Sequence, residues 1–76
     1  MRQIRSDIWE VNDDDLGHPN EAGIYEVSGL GDVQLDVADL RYVTEHKSQG
    51  YKPVFFVRRS PALGGRFVVT SRQRAA

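Results

Sequence analysis

Val54-Phe55-Phe56-Val57-Arg58-Arg59-Ser60-Pro61-Ala62-Leu63-Gly64-Gly65-Arg66-Phe67-Val68-Val69-Thr70-Ser71 is the stretch that decides the fold of this 76-residue chain. Two runs of β-branched and aromatic residues flank a segment of serine, proline and glycine, the pattern of a β-hairpin. Side chains alternate across a strand, so Val54 and Phe56 share one face and Phe55 and Val57 the other. In the return strand Phe67 and Val69 share a face, opposite Val68 and Thr70. Both faces of the hairpin are therefore apolar.

Upstream, Asp36 is placed to cap a helix from about Val37 to Gln49, with Asp39 at its third position, where an anionic side chain suits the amide end. Gly50 supplies a left-handed cap, Lys47 suits the last turn, and Pro53 stops the helix before the next strand. Its spacing turns Val37, Leu40, Val43 and Thr44 inward. Further upstream, Val33-Gln34-Leu35-Asp36 alternates as a short strand after a Ser28–Asp32 turn. Ile24-Tyr25-Glu26-Val27 echoes Ile8-Trp9-Glu10-Val11, and the two read as paired antiparallel strands. Residues 3–11 have helical spacing at Ile4, Ile8 and Val11, but their β-formers favour strand. Residues 12–23 read as a loop.

The resulting order is β-β-β-α-β-β. The expected fold is α+β: a small antiparallel sheet with one helix packed on one face. One domain spans residues 1–71, and residues 72–76 read as a frayed basic tail. A chain this short buries only about 60% of its unfolded surface, which leaves little room for a deep cleft. One helix covers one sheet face, so Phe55, Val57 and Val68 are expected to form an apolar docking face. The N-terminal segment with Trp9, the 12–23 loop, a second copy of the chain or a foreign protein could cover it.

The formal net charge is −1, but the charges are segregated. Residues 1–39 hold ten acidic and two basic groups, and residues 40–76 hold eight basic and one acidic. Asp13, Asp14, Asp15 and Glu21 form an acidic loop suited to a basic partner, and Arg58, Arg59, Arg66 and Arg72 form a basic hairpin suited to phosphates or carboxylates. Interleaving of the two halves in the folded sheet would instead cancel them.

Other chemistry is sparse. There is no cysteine, hence no disulfide or thiolate metal site. The acidic loop fails the calcium-loop pattern: with Gly17 in the glycine position, Leu16 and Gly23 fall where oxygen ligands belong. His18 and His46 read as solvated, and the glycine pairs lack a phosphate-binding context. No metal, cofactor or catalytic residue is expected. No apolar run approaches the ~20 residues of a membrane span, and with no signal-peptide pattern the chain reads as cytoplasmic.

The expectation is a non-enzymatic protein-binding module, an inhibitor or adaptor acting on a nucleic-acid-handling complex. At the level of class this suits the small counter-defence proteins of phage and mobile elements, anti-CRISPR proteins among them, with the acidic half imitating DNA phosphates. The alternative is a DNA- or RNA-binding module that uses the 58–66 hairpin and stacks bases on its phenylalanines.

Overall fold

The computed structural model describes residues 1–20 and 23–73. Among the described residues, seven strands and one α-helix are formed: β1 Arg2–Gln3, β2 Trp9–Asn12, β3 Leu16–Pro19, β4 Ile24–Val27, β5 Gly31–Gln34, α1 Val37–Ser48, β6 Val54–Ser60 and β7 Arg66–Arg72. One sheet runs in the order β1-β2-β6-β7-β5-β4-β3 and curls into a half-barrel. The β6–β7 hairpin lies at its centre.

This corrects the expected five-stranded antiparallel layout. The sheet is mixed, because β5 and β7 pair in parallel, with Val33 opposite Phe67 and Gln34 opposite Val68. α1 and β6 form the crossover that lets the chain return to β5 in the same direction. The two echoing segments are not neighbours: β2 pairs with β6, and β4 pairs with β3 and β5. β3 was hidden inside the expected loop. It forms at the sheet edge, where Pro19 needs no ladder partner on its outer side. Its Gly17 is required by proximity, since a Cβ there would lie 2.8 Å from the Glu26 carbonyl oxygen.

The core lies on one face of the sheet. Val11, Val33, Phe55 and Val57 are fully buried, joined by Val27, Leu35, Tyr42 and Phe67, with Trp9 edge-on to Phe67 at 5.3 Å. Phe55 and Val57, expected as a docking face, are thus at 0% exposure and offer nothing to a partner. Only Val68 of that trio lies on the opposite face, and it is half-buried. Phe56 on that same face sits in a shallow hollow with Ile4 and Ile8, so the N-terminal segment partly covers it.

α1 starts as its sequence indicates. The Asp36 carboxylate accepts from Asp39 N–H at 2.8 Å and Asp39 returns the bond to Asp36 N–H at 3.0 Å, a reciprocal capping box. Gly50 closes the other end with φ 81°. The inward stripe, however, is not the expected one. Val37 is 74% exposed and Leu40 is exposed, whereas Asp39 and Tyr42 are buried, with Val43 and His46 half-buried beside them. The cause is a polar anchor. The Tyr42 hydroxyl donates to the Gln73 carbonyl (2.6 Å) and accepts from Val54 N–H (3.1 Å), clamping the helix to the ends of β6 and β7.

A bulge in β7 completes this end. Phe56 faces Ser71 and Val57 faces Val69, so Thr70 is the extra residue, and its hydroxyl donates to the Phe56 carbonyl at 3.0 Å. The extra residue inverts the alternation beyond it. Arg72 therefore lies on the core side opposite Phe55 instead of in the frayed tail, and Gln73 N–H bonds Val54 O at 2.9 Å. Residues 74–76 of the expected tail lie outside the described residues.

Tyr42→Phe should lose about 0.5–1.5 kcal/mol of stability in urea unfolding, because it leaves the half-buried Val54 N–H and the Gln73 carbonyl without their partner. Val37→Ser should change it by less than about 0.5 kcal/mol, being on the solvent side of α1.

Candidate functional site

The acidic loop is a single 3-10 turn, Asp13–Asp15, closed by its own capping box. Asn12 Oδ1 accepts from Asp15 N–H (3.2 Å), and the Asp15 carboxylate accepts from Asn12 N–H (2.9 Å). Each of its carboxylates already holds a cation. Asp13 pairs with Lys47 at 3.0 Å, Asp14 pairs with Lys52, and Asp15 pairs with the Met1 ammonium at 2.8 Å. Burial by itself would raise the Asp15 carboxyl, but the ammonium and the Asn12 N–H outweigh it and hold the group below its ordinary value. The Asp14 carboxylate raises the Lys52 ammonium above its ordinary value. Exposed pairs of this kind contribute roughly 0–1 kcal/mol each, so their weight lies in cancelling the local field. Glu21, grouped with this loop in the sequence, lies outside the described residues. Among the described residues no three potential ligands converge on a metal position.

Arg72 also leaves the set in which the sequence placed it. Its guanidinium donates to the Ala38 carbonyl at 2.9 Å, lies 3.7 Å from the buried Asp39 carboxylate and sits 5.7 Å from the Tyr42 ring centre. It braces the start of α1 and is remote in role from the hairpin tip. The histidines divide as well. His18 is exposed on β3, but His46 packs its ring 4.0 Å from that of Tyr42, and its Nδ1 donates to the Tyr42 carbonyl at 3.1 Å. The i, i+4 relation of Tyr42 and His46 was the available sign that both face inward.

What remains is the tip of the central hairpin. Pro61–Leu63 makes one 3-10 turn, and Gly64 (φ 68°) and Gly65 (φ 85°) take the left-handed conformations that return the chain into β7. Arg58 and Arg66 project from one face, and Arg59 from the other. The Arg59 guanidinium is held by the Gly65 carbonyl at 3.3 Å and lies over the Phe67 ring at 4.8 Å. None of these three arginines makes an ion pair with a described carboxylate. Between them the tip presents Pro61, Ala62 and Leu63, all exposed, with Leu63 at 41%.

Comparison with known proteins returns no matching family model, no matching curated protein and no matching solved structure. No described helix is long and apolar enough to cross a membrane.

The two carboxyls at the start of α1 oppose each other in acid. The Asp39 N–H holds Asp36 below its ordinary value, so Asp36 stabilises the fold at neutral pH, and this is lost as pH falls through its lowered folded value. Burial holds Asp39 above its ordinary value, so the native state takes up that proton first and gains stability as pH falls through the raised value. Asp39→Asn removes the compensating gain. Between pH 6 and pH 3, spanning the ordinary carboxyl value of about 4, its urea midpoint should fall more steeply than that of the parent.

Proposed function

We propose that this protein is a non-enzymatic protein-binding module, an adaptor or inhibitor, whose working surface is the 58–66 hairpin docking on an acidic patch of a partner protein. The observation that carries the reading is the make-up of the tip: an apolar centre, Pro61-Ala62-Leu63, framed by Arg58, Arg59 and Arg66, none of them paired with a described carboxylate. Arginine and a desolvated apolar centre are the chemistry of interface hot spots.

Two features weigh against a nucleic-acid ligand. Base stacking needs open aromatic faces. Phe55 and Phe67 are buried, and Phe56 is half-buried beside Ile4 and Ile8. The formal charge of −1 also gives no overall attraction to a polyanion. The version of the reading in which Asp13–Asp15 imitate DNA phosphates is not retained, because those carboxylates already hold cations of their own chain.

The test is cross-linked capture from the native host's extract, with parent and variant compared at matched folding by circular dichroism. Arg58→Glu with Arg66→Glu, and separately Leu63→Asp, should each lower the yield of the captured protein at least about tenfold, the loss of one or more hot-spot side chains. Asp13→Asn with Asp14→Asn should leave it unchanged. Gel shifts with a 30-nucleotide single strand and its duplex should show no binding at 0.15 M salt. A shift that weakens steeply with rising salt, and is abolished by the arginine variant, would transfer the hairpin to nucleic-acid binding.

A further inference from the structure

β6 outlasts its neighbour. β2 begins at Trp9, opposite Val57, while β6 continues through Arg58, Arg59 and Ser60. In an antiparallel ladder successive residues direct their N–H and C=O groups to alternate sides. Asp13 N–H bonds Pro53 O on the β2 side, whereas Gln73 N–H bonds Val54 O and Gly65 N–H bonds Ser60 O on the β7 side. Odd-numbered residues of β6 therefore address β2, and Arg59 is one of them. Continuing the β2 register would bring Asp7 opposite Arg59, but the chain bends away there, with Ile4 and Arg5 N–H both turned to the Ile8 carbonyl. The Arg59 backbone N–H and C=O consequently have no backbone partner among the described residues.

The vacated position is a cleft of about 460 Å³ lined by Ser6, Asp7, Trp9, Arg58, Arg59 and Pro61. It combines three kinds of group: an unpaired backbone edge, a half-buried indole, and two arginine residues against one aspartate. The remaining sheet edges lack this combination. β1 has two residues, and β3 carries a register irregularity and Pro19, both of which discourage strand addition.

We propose that this cleft takes an extended, acidic segment of the partner protein, which adds to β6 as a short antiparallel strand. Its backbone exchanges two hydrogen bonds with Arg59, its carboxylates lie on the Arg58 face, and an apolar side chain on the other face lies against Trp9. A peptide strand suits the cleft because the backbone edge offers one donor and one acceptor at strand spacing, and the local charge selects acidic over basic sequences. The assignment rests on the hairpin reading above and specifies how the partner engages it.

Trp9 is the only tryptophan, so its fluorescence reports on the cleft directly. The probe is the capped peptide Ac-TEVEVET-NH2, set against Ac-TKVKVKT-NH2 and a copy of the acidic peptide N-methylated at its two valines, whose N–H groups are the ones directed at β6 when the valines face Trp9. The acidic peptide should produce a saturable change in Trp9 emission and slow hydrogen exchange of the Arg59 amide. Binding should weaken about tenfold on N-methylation, the loss of about one hydrogen bond to a desolvated partner, and by at least as much for the lysine peptide. Absence of any Trp9 response at millimolar peptide overturns strand addition, as does binding that N-methylation leaves intact. If that happens while Arg58→Glu with Arg66→Glu still abolishes capture, strand addition fails alone and the hairpin reading stands. If capture also survives the arginine variant, both fail.

Discussion

Burial of Phe55, Val57 and Phe67 against Val11, Val33 and Tyr42 is the constraint on which the rest of the molecule depends. Each of these side chains contributes roughly 1.5–3 kcal/mol when fully removed from water, and a domain of this size has few others. Once the odd-numbered side of β6 is committed to the core, the positions of the arginines follow. Arg59 falls on the core side but beyond its end, where the Phe67 ring and the Gly65 carbonyl receive it. Arg58, and Arg66 opposite Ser60, fall on the outer side. The same packing that makes the hairpin the centre of the sheet leaves the arginines of its tip without an ion pair to a described carboxylate.

The charges of the two halves meet elsewhere. Asp13, Asp14 and Asp39 from the first half hold Lys47, Lys52 and Arg72 from the second. The linear segregation is thus partly undone by folding, while Arg58, Arg59 and Arg66 of the hairpin, like Arg41 on α1, make no ion pair with a described carboxylate. That distinction separates the acidic loop, which looks like a binding surface in sequence, from the hairpin, which still looks like one in three dimensions.

The hairpin, the capped helix and the Gly50 stop were legible because their signals are local: β-branched runs around a turn, a capping box, a left-handed glycine. The parallel β5–β7 pair was not, since it depends on contact between residues over thirty positions apart. β3 was masked by the turn chemistry of Gly17, His18 and Pro19, which is tolerable at an edge and so misleads a local reading. The helix was rotated because its Tyr42 hydroxyl, acting through Val54 and Gln73, outweighs the apolar Val37 and Leu40. Arg72 was misplaced because a one-residue bulge at Thr70 reverses the alternation, and nothing in Val69-Thr70-Ser71 announces it. The placement of Arg58, Arg59 and Arg66 around one turn was legible, while Phe55 and Val57, expected on an open face, are buried in the core.

On the proposed function, the molecule engages its partner through the end of the β6–β7 hairpin and the adjoining turn. Hydrogen-exchange mass spectrometry of the captured complex against the free protein tests it most directly. Slowed exchange confined to residues 58–66 and 6–9 is the predicted footprint. A footprint centred on residues 13–19, or on the exposed side of α1 around Val37 and Leu40, would contradict it.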